Sequence, residues 1–334
     1  MALLEVKDLN VSFLSDGRLL PAVSDISFRV EDGEILALVG ESGCGKSITC
    51  MSLAKLLPAS ARILSGSVDL RTPSGEVVDV MRLDGRALRK IRGGGIAYIF
   101  QEPSVSLNPV FRVGEQIAEA VELHRPEVAD PWAEAIELLK KVGIPDPAAR
   151  VRLYPHEMSG GMQQRVMIAM AIASHPALLI ADEPTTALDV TIQAQILDLL
   201  LELRRTLGTS MILVTHNLGI VSETADRVAV MYAGRIVETG KVRDLIDKPA
   251  HPYTRALLAA VPVLGERSGR LSTIPGNVPL PADYPAGCRF CTRCELCRNA
   301  SPEQQRRCRE EVPPEREVAP GHFCACHLAG NGGL

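Results

Sequence analysis

An eight-residue segment, Gly40–Ser47, has the residue types and the spacing of a loop that binds phosphate groups. It fits the pattern G-x-x-x-x-G-K-S/T, and it lies between an apolar run at Ile35–Val39 and a stretch of helical periodicity, as that pattern requires. Glycines let backbone N–H groups converge on phosphate oxygens, and the start of a helix adds partial positive charge. We therefore predict that Lys46 bridges the β- and γ-phosphates of ATP and that Ser47 ligates Mg²⁺. The predicted nucleotide-binding residues of this loop are Gly40, Glu41, Ser42, Gly43, Cys44, Gly45, Lys46 and Ser47.

One member of this loop, Cys44, has two interpretations. A thiolate is stabilised at the start of a helix, which predicts that alkylation of Cys44 blocks ATP hydrolysis and that bound nucleotide protects the thiol. The alternative is that position 44 contributes only its backbone amide.

A pair of acids follows a second apolar run, Leu178–Ala181. At the end of a buried strand, Asp182 is placed to hold Mg²⁺ through its water shell, and Glu183 is placed to polarise the attacking water. Two neighbouring acids at a strand end can also be merely solvated. Their occurrence together with Lys46 favours the functional interpretation.

The segment Ser159-Gly160-Gly161 opens a predicted helix between these two sites. Alone it is weak, because any serine-capped helix can carry it. With the phosphate loop before it and the paired acids after it, the sequence resembles the ABC ATPases, whose signature is Leu-Ser-Gly-Gly-Gln or a close variant. Met162 stands here in place of the glutamine.

The resemblance implies roles for further residues. Gln101 resembles the glutamine that senses Mg²⁺ and the transmembrane partner, His216 the switch histidine that contacts the γ-phosphate, and Phe13 the aromatic residue that stacks on adenine. Ala187-Leu188-Asp189 resembles the D-loop, and Asn217 follows the histidine where aspartate is usual. Glu183, His216 and Gln101 would then be catalytic, and Ser47, Gln101 and Asp182 would ligate Mg²⁺.

The same resemblance implies the fold and the assembly. We expect an α/β fold, the P-loop NTPase ABC cassette, with a RecA-like core, an antiparallel β subdomain and a helical subdomain at about residues 103–172. Two cassettes would close head to tail around two nucleotides, so that Ser159, Gly160 and Gly161 of one face the γ-phosphate held by the other. Neither cassette would build a complete site alone.

Several segments are similar to a narrower group, the ATPases of dipeptide, oligopeptide and nickel importers. These segments include residues 101–116, 181–195 and His251-Pro252-Tyr253-Thr254. The resemblance implies two transmembrane permeases, a second related ABC ATPase or a second copy of this chain, and an extracytoplasmic substrate-binding protein. It also implies a peripheral position at the cytoplasmic face of the inner membrane, with residues 102–116 near the groove that receives the permease.

Other ABC classes fit less well. Chromosome and DNA-repair ATPases insert long coiled coils, whereas 112 residues without heptads separate Lys46 from Ser159 here. A cytosolic ABC ATPase of iron–sulfur assembly is the more serious alternative because of the cysteines. A nickel or glutathione importer is also open, since the ATPase does not touch the cargo.

Seven of the nine cysteines fall within the 39 residues from Cys288 to Cys326, which in a cytosolic chain indicates metal or cluster binding. Local spacing favours Cys288, Cys291, Cys294 and Cys297. The importer resemblance implies instead a [4Fe–4S] cluster on Cys288, Cys294, Cys308 and Cys326. Zn²⁺, with His322 or His327 joining the thiolates, is the second candidate, and free thiols are the third.

The elements that must position these residues can be read from hydrophobic periodicity. Strands are expected at 35–39, 177–184 and 210–216, with a helix from Ile192 to Leu207 between the last two, which predicts parallel pairing. Helical spacing dominates from Val113 to about Ile172. Because the sequence becomes Pro-rich after Pro249, we predict a nucleotide-binding domain at 1–248 and a Cys-rich extension at 249–334.

Composition limits the remaining classes. The chain has 334 residues, which suggests about two domains. Its 36 basic and 40 acidic residues and its 1 Trp, 5 Tyr and 6 Phe give neither a basic footprint nor a stacking surface, so we expect no nucleic-acid partner. No run of 18 apolar residues and no secretory signal is present, which predicts a cytosolic chain that does not span a membrane.

Overall fold

The computed structural model describes residues 2–72, 74–186, 188–260 and 274–329. None of the helices in these ranges combines the length and the apolar character that crossing a membrane requires.

The described residues form twelve strands. They are β1 Ala2–Ser15, β2 Arg18–Glu31, β3 Ile35–Val39, β4 Ala61–Arg71, β5 Val77–Asp79, β6 Ile96–Ile99, β7 Leu178–Asp182, β8 Ser210–Thr215, β9 Arg227–Tyr232, β10 Arg235–Lys241, β11 Arg316–Ala319 and β12 His322–Cys324.

The same ranges form thirteen α-helices. They are α1 Lys46–Leu53, α2 Gly85–Ile91, α3 Pro103–Ser106, α4 Val113–His124, α5 Pro131–Lys141, α6 Pro147–Arg150, α7 Gly160–Ile172, α8 Val190–Leu207, α9 Leu218–Thr224, α10 Val242–Asp247, α11 Pro252–Ala259, α12 Glu295–Asn299 and α13 Pro302–Glu310.

The chain divides into two compact units. The first consists of the start of the chain through Glu5, Arg29–Glu34 and Val68–Val214. The second consists of Val6–Phe28, Ile35–Ser67 and the part of the chain from Thr215 onward. The predicted boundary between residues 248 and 249 stays a prediction.

Three parallel strands, β6, β7 and β8, form the sheet of the first unit that carries the paired acids. All five residues of β7 are buried, as its apolar sequence predicts. The predicted strand–helix–strand order with parallel pairing is confirmed, with α8 as the connection. This helix begins at Val190 rather than Ile192, because the Asp189 side chain accepts a hydrogen bond from the Ile192 N–H and caps it.

Helices α4 to α7 occupy the part of the first unit in which helical spacing dominates the sequence. The proline positions explain their boundaries: α5 begins at Pro131 and α6 at Pro147, because proline lacks an N–H and is tolerated only in the first turn. Helix α7 packs against α3, α4 and α5. The neighbouring helices therefore hold α7, including its first turn, in place.

The second unit is built on strand β3, which pairs in parallel with β9. Strand β9 pairs antiparallel with β10, β10 with β12, and β12 with β11. Two strands of the Cys-rich segment thus extend this sheet. Helix α1 ends at Leu53, two residues before Lys55, which adopts a left-handed φ of 53°.

A buried carboxylate fixes the Cys-rich segment to β10. Glu238 is 1% exposed and accepts hydrogen bonds from the N–H groups of Ala250 and His251. Its other contact is His322 of β12, whose Nε2 lies 2.7 Å from a carboxylate oxygen. Every acceptor of this buried group is used for joining α11 and β12 to the sheet.

Candidate functional site

The phosphate loop follows β3 and runs into α1 in the second unit. Its curvature depends on glycine: Gly40, Gly43 and Gly45 have φ values of 154°, 78° and 104°. A Cβ on Gly40 would lie 2.2 Å from the Met231 carbonyl oxygen and 2.7 Å from the sulfur of Cys44. A Cβ on Gly43 would meet nothing within 4 Å, so this side of the loop is open to a ligand.

Lys46 is held at the centre of this loop. Its side chain is buried, and Nζ donates to the carbonyl oxygens of Gly40, at 2.8 Å, and Glu41, at 3.1 Å. A buried ammonium that is fixed by the loop itself is suited to pair with phosphate oxygens. Ser47 follows in the first turn of α1, where the motif places the Mg²⁺ ligand.

Cys44 is fully buried, and its sulfur lies 3.8 Å from Lys46 Nζ. Burial raises the pKa of this thiol, and the opposing charge of Lys46 does not restore it. The expectation of a stabilised thiolate at this position is therefore wrong. The interpretation that Cys44 contributes its backbone fits the burial better.

The paired acids lie in the first unit and have different partners. Asp182 ends β7, is 4% exposed and accepts a hydrogen bond of 2.6 Å from the hydroxyl of Tyr98. Glu183 has a left-handed φ of 46°, and its N–H donates to the Val214 carbonyl of β8. The two carboxylates therefore leave the strand in different backbone conformations.

Gln101 and Glu183 are brought together by the structure. Gln101 Nε2 lies 3.3 Å from the Glu183 Oε2, and the Thr186 hydroxyl donates to the same oxygen at 2.8 Å. A carboxylate that accepts two hydrogen bonds is oriented for one task, such as accepting a proton from water. Ala187 of the predicted D-loop lies outside the described residues.

Ser159, Gly160 and Gly161 form the start of α7, where Ser159 and Gly160 are exposed and Gly161 is half-buried. Ser159 caps the helix, because its Oγ accepts a hydrogen bond of 3.4 Å from the Met162 N–H. A Cβ on Gly160 would meet nothing within 4 Å. This segment is thus positioned by the helix cap and open to a second molecule.

His216 and Phe13 belong to the second unit. His216 is exposed and follows directly on β8, whereas Phe13 is half-buried in β1. Asn217 caps α9 by accepting hydrogen bonds from Gly219 and Ile220. Asparagine at this position therefore has a local structural role.

Two partners of the site were not found by sequence reasoning. Tyr98 holds Asp182, and the hydroxyl of Tyr253 accepts a hydrogen bond of 2.8 Å from the Glu41 N–H of the phosphate loop. Tyr98 lies in the apolar strand β6, three residues before Gln101. Only the pairing of β6 with β7 shows that the Tyr98 hydroxyl reaches Asp182. Tyr253 belongs to the His-Pro-Tyr-Thr segment, which the sequence singled out without assigning a role.

The cysteine segment forms a small cavity in the second unit. Six thiols line it together with His251 and His327; they belong to Cys288, Cys291, Cys294, Cys297, Cys308 and Cys326. Burial raises the pKa of Cys294 to about 11 and that of Cys308 to about 12. Across residues 2–72, 74–186, 188–260 and 274–329, no group of three or more His, Cys, Asp or Glu is arranged to hold a metal ion. The arrangement as it stands does not support the predicted cluster.

Comparison with known families places this geometry in context. Residues 23–186 match the family described as ABC transporter, and residues 237–300 match the family described as oligopeptide/dipeptide transporter, C-terminal region. A putative peptide import ATP-binding protein of Brucella ovis is 48% identical over 332 residues, which cover 97% of this chain and 96% of that protein. The chain belongs to the ATP-binding subunits of ABC transporters. The family and the ATPase activity predicted from the sequence are confirmed.

Other relatives of this ABC ATPase agree. A probable peptide ABC transporter ATP-binding protein of Sinorhizobium fredii is 48% identical over 330 residues, covering 97% of this chain and 94% of that protein. A dimeric ATP-binding cassette in a post-hydrolysis state with ADP and Pi has a TM-score of 0.63, 25% identity and covers 72% of this chain and 99% of its own. A component of the ABC transporter complex cbiONQ from Clostridium perfringens has a TM-score of 0.61 and 29% identity, over 74% of this chain and 91% of its own. The predicted cassette fold is thereby confirmed.

Proposed function

We propose that this ABC ATPase powers the import of di- and oligopeptides through membrane permeases. The observation that carries the proposal is the match of residues 237–300 to the C-terminal region of oligopeptide/dipeptide transporters. Relatives that align with nearly the whole chain and are named for peptide import support it.

We infer that this chain acts beside two transmembrane permeases, a second related ATPase or a second copy of itself, and an extracytoplasmic substrate-binding protein. It would be bound peripherally at the cytoplasmic face of the inner membrane. An exposed apolar surface after Gln101 supports a permease contact, since Val105, Val110 and Phe111 are 77%, 72% and 52% exposed. Residues 102–116, which carry these side chains, were predicted to lie near the permease.

For hydrolysis we propose the following roles. Lys46 binds the β- and γ-phosphates, and Ser47, Asp182 and Gln101 hold Mg²⁺, which neutralises phosphate charge when bound. Two observations support these roles. The loop is open at Gly43, and hydrogen bonds from Gln101 and Thr186 orient the Glu183 carboxylate.

The remaining proposed residues complete the site. Glu183 accepts the proton of the attacking water, His216 contacts the γ-phosphate, and Phe13 stacks on adenine. Ser159, Gly160 and Gly161 serve the γ-phosphate of the neighbouring cassette, which the exposure of Ser159 and Gly160 at the start of α7 supports.

Replacement of Glu183 by glutamine tests the proposed base. General-base catalysis contributes about 10²- to 10⁴-fold, so Glu183→Gln should lower kcat by at least about 10²-fold while ATP still binds. Trapped ATP should also shift the variant to a dimer with itself or with the partner ATPase, as seen by light scattering. The matched control is Glu223→Gln, an exposed glutamate of α9, which should hydrolyse ATP normally. Unchanged turnover of Glu183→Gln would contradict the assignment.

Transport assays test the cargo. The ATPase is co-purified with its permeases, reconstituted into proteoliposomes, and offered labelled di- and oligopeptides, nickel and glutathione through the binding protein. ATP-dependent uptake of peptides alone supports the proposal. Uptake of nickel or glutathione instead would assign the other importer class, and recovery with a soluble scaffold protein and no permease would favour iron–sulfur assembly.

We also propose that Cys288, Cys294, Cys308 and Cys326 hold a metal centre in the cysteine cavity. Two buried imidazole atoms in the cavity wall support it, His251 Nε2 and His327 Nδ1, which have no hydrogen-bond partner within the described ranges. His327 Nε2 lies 2.9 Å from the Glu311 carbonyl and must donate to it, so Nδ1 keeps a free lone pair. Within the described ranges, the sulfurs of these cysteines are not arranged as a metal-binding group.

Elemental analysis tests whether the cysteine cavity holds a metal centre. After anaerobic purification, iron and sulfide near about four per chain would support the [4Fe–4S] cluster. Zinc alone would support the tetrahedral alternative. A metal-free protein with seven titratable thiols in the tail would reject both.

A further inference from the structure

We propose that Arg293 is a positioning residue for the phosphate loop, and that through Glu41 it makes nucleotide affinity depend on the cysteine segment. Arg293 lies directly before Cys294 in the Cys-rich segment. The inference rests on the assignment of Gly40–Ser47 as the nucleotide loop.

The contact between Arg293 and Glu41 is bidentate and largely buried. Nη1 and Nη2 of Arg293 lie 2.7 and 3.0 Å from the two carboxylate oxygens of Glu41, and the Arg293 side chain is only 5% exposed. Burial alone would disfavour the charge, but the hydrogen bonds to Glu41 and to the Tyr232 hydroxyl raise the pKa of Arg293. A fork-to-fork pair of this kind fixes direction as well as distance.

Glu41 is also held through its backbone. Its N–H donates to the hydroxyl of Tyr253 at 2.8 Å, and its carbonyl accepts from Lys46 at 3.1 Å. The residue that Arg293 grips is thus one of the two carbonyl partners of the ammonium that is to meet phosphate. A shift of Glu41 moves a ligand of Lys46.

Arg293 is at the same time anchored in its own segment. It donates to the carbonyl oxygens of Ile274, Pro275 and Gly276. The guanidinium therefore joins the chain before the cysteines to the phosphate loop. A displacement of either segment strains the hydrogen bonds of Arg293 to the other.

A second arginine of the same segment reaches the other side of the loop. Arg289, next to Cys288, donates to the Ala233 carbonyl and to the hydroxyl of Ser24. The N–H of the adjacent Gly234 donates to the Cys44 carbonyl at 2.7 Å. The cysteine segment thus contacts the loop's surroundings on both sides, at Glu41 and near Cys44.

Nucleotide binding and displacement of the cysteine segment are thermodynamically linked. If displacement of the cysteine segment changes nucleotide affinity, nucleotide must change the free energy of displacing that segment by the same amount. We therefore expect the thiols that flank the arginines, Cys288 and Cys294, to react more slowly with an alkylating reagent when ADP is bound.

The decisive variant is Glu41→Gln, which leaves every other Arg293 bond in place. If Glu41 acted only as a charge, its neutralisation would tighten nucleotide binding. If Glu41 positions the loop, its neutralisation weakens binding, by about tenfold for a typical coupling. Affinity for a fluorescent ADP analogue is measured for Glu41→Gln, Arg293→Ala, Arg293→Lys and the double variant Glu41→Gln/Arg293→Ala.

Positioning predicts the following pattern. Glu41→Gln and Arg293→Ala each weaken binding, the double variant is no weaker than Arg293→Ala alone, and Arg293→Lys restores part of the affinity because it keeps a point charge without the fork. KM for ATP rises while kcat stays within about twofold, since the base is untouched. Arg307→Ala, which breaks the exposed Arg307–Glu311 pair of the same segment, should bind normally.

Three results would overturn the inference. They are tighter binding by Glu41→Gln, wild-type binding by the double variant, and ADP protection of Cys288 and Cys294 that persists in Glu41→Gln. Lys46→Ala separates this failure from that of the loop assignment. If Lys46→Ala binds nucleotide normally, the loop assignment fails; if it does not bind while the Arg293 variants bind normally, only the role of Arg293 fails.

Discussion

Asp182 and Glu183 are neighbours in sequence, yet their carboxylates are held by different groups. Tyr98 donates to Asp182, whereas Gln101 and Thr186 donate to Glu183. A hydrogen bond to a charged group contributes about 1.5–3 kcal/mol, enough to select one orientation of each side chain. Different hydrogen-bond donors thus orient two adjacent carboxylates, as the roles proposed for them require.

Tyr98→Phe tests this division. Loss of the hydroxyl removes one hydrogen bond that orients Asp182, so the Mg²⁺ concentration for half-maximal hydrolysis should rise about tenfold with little change in kcat at saturating Mg²⁺. Magnesium titrations of ATPase activity measure this. Tyr284→Phe is the control, because it removes a hydroxyl far along the chain and keeps the ring that stacks on Arg289. An equal Mg²⁺ requirement in Tyr98→Phe and wild type would contradict the role of Tyr98.

At the scale of elements, a buried histidine, His251, caps the start of α11. His251 caps the helix with Nδ1, which accepts from the Tyr253 N–H, and it is 1% exposed. Burial, and secondarily the charge of Arg255, lowers the pKa of His251 from 6.5 to about 3. At mildly acidic pH His251 is therefore neutral in the folded protein and protonated in the unfolded chain.

This shift predicts an acid-sensitive fold. Stability from His251 is fully present above about pH 6.5 and is lost as the pH falls, by about 1.4 kcal/mol per pH unit, until the folded pKa is reached. His251→Asn keeps a capping acceptor and removes the titration, so its free energy of unfolding should fall less between about pH 7 and about pH 5. Urea denaturation at each pH measures the difference. His156→Asn, at an exposed position, should show the wild-type slope, and equal slopes in all three proteins would refute the prediction.

For the whole molecule, the Cys-rich segment shares a core with the strands of the second unit. Tyr232 of β9 packs against Tyr253 and Phe290, with ring centroids 4.6 and 5.1 Å apart. The same core contains Val39 of β3 and Cys308 of α13. Residues after 248 therefore cover apolar surface that the preceding strands cannot cover alone.

Truncation after Lys248 tests how far the predicted domain at 1–248 is independent. Removal of the segment would uncover Tyr232 and the free edge of β10, which favours aggregation. We expect the truncated chain to be insoluble or to bind a hydrophobic dye strongly, measured by sedimentation and dye fluorescence beside the full chain. A soluble, monodisperse product that unfolds cooperatively would establish the boundary as predicted.

The sequence predicts most of the elements and only part of their relations. The phosphate loop, the strands before Gly40 and Asp182, and the Ser159 cap are short-range patterns, so periodicity and capping rules find them. The bonds from Tyr98 to Asp182 and from Arg293 to Glu41 join residues 84 and 252 positions apart, which no local pattern encodes. The raised pKa of Cys44 was missed for the same reason, since burial is a property of the assembled fold.

The ammonium of Lys46 already rests on two peptide oxygens of its own loop. Most of its water has therefore been shed during folding, and an incoming anion has only to outcompete neutral dipoles for a dry cation. A multiply charged triphosphate can do so, whereas chloride or a small monoanion gains too little from the exchange. The Lys46 site thereby favours multiply charged phosphates over the small monoanions of the cell.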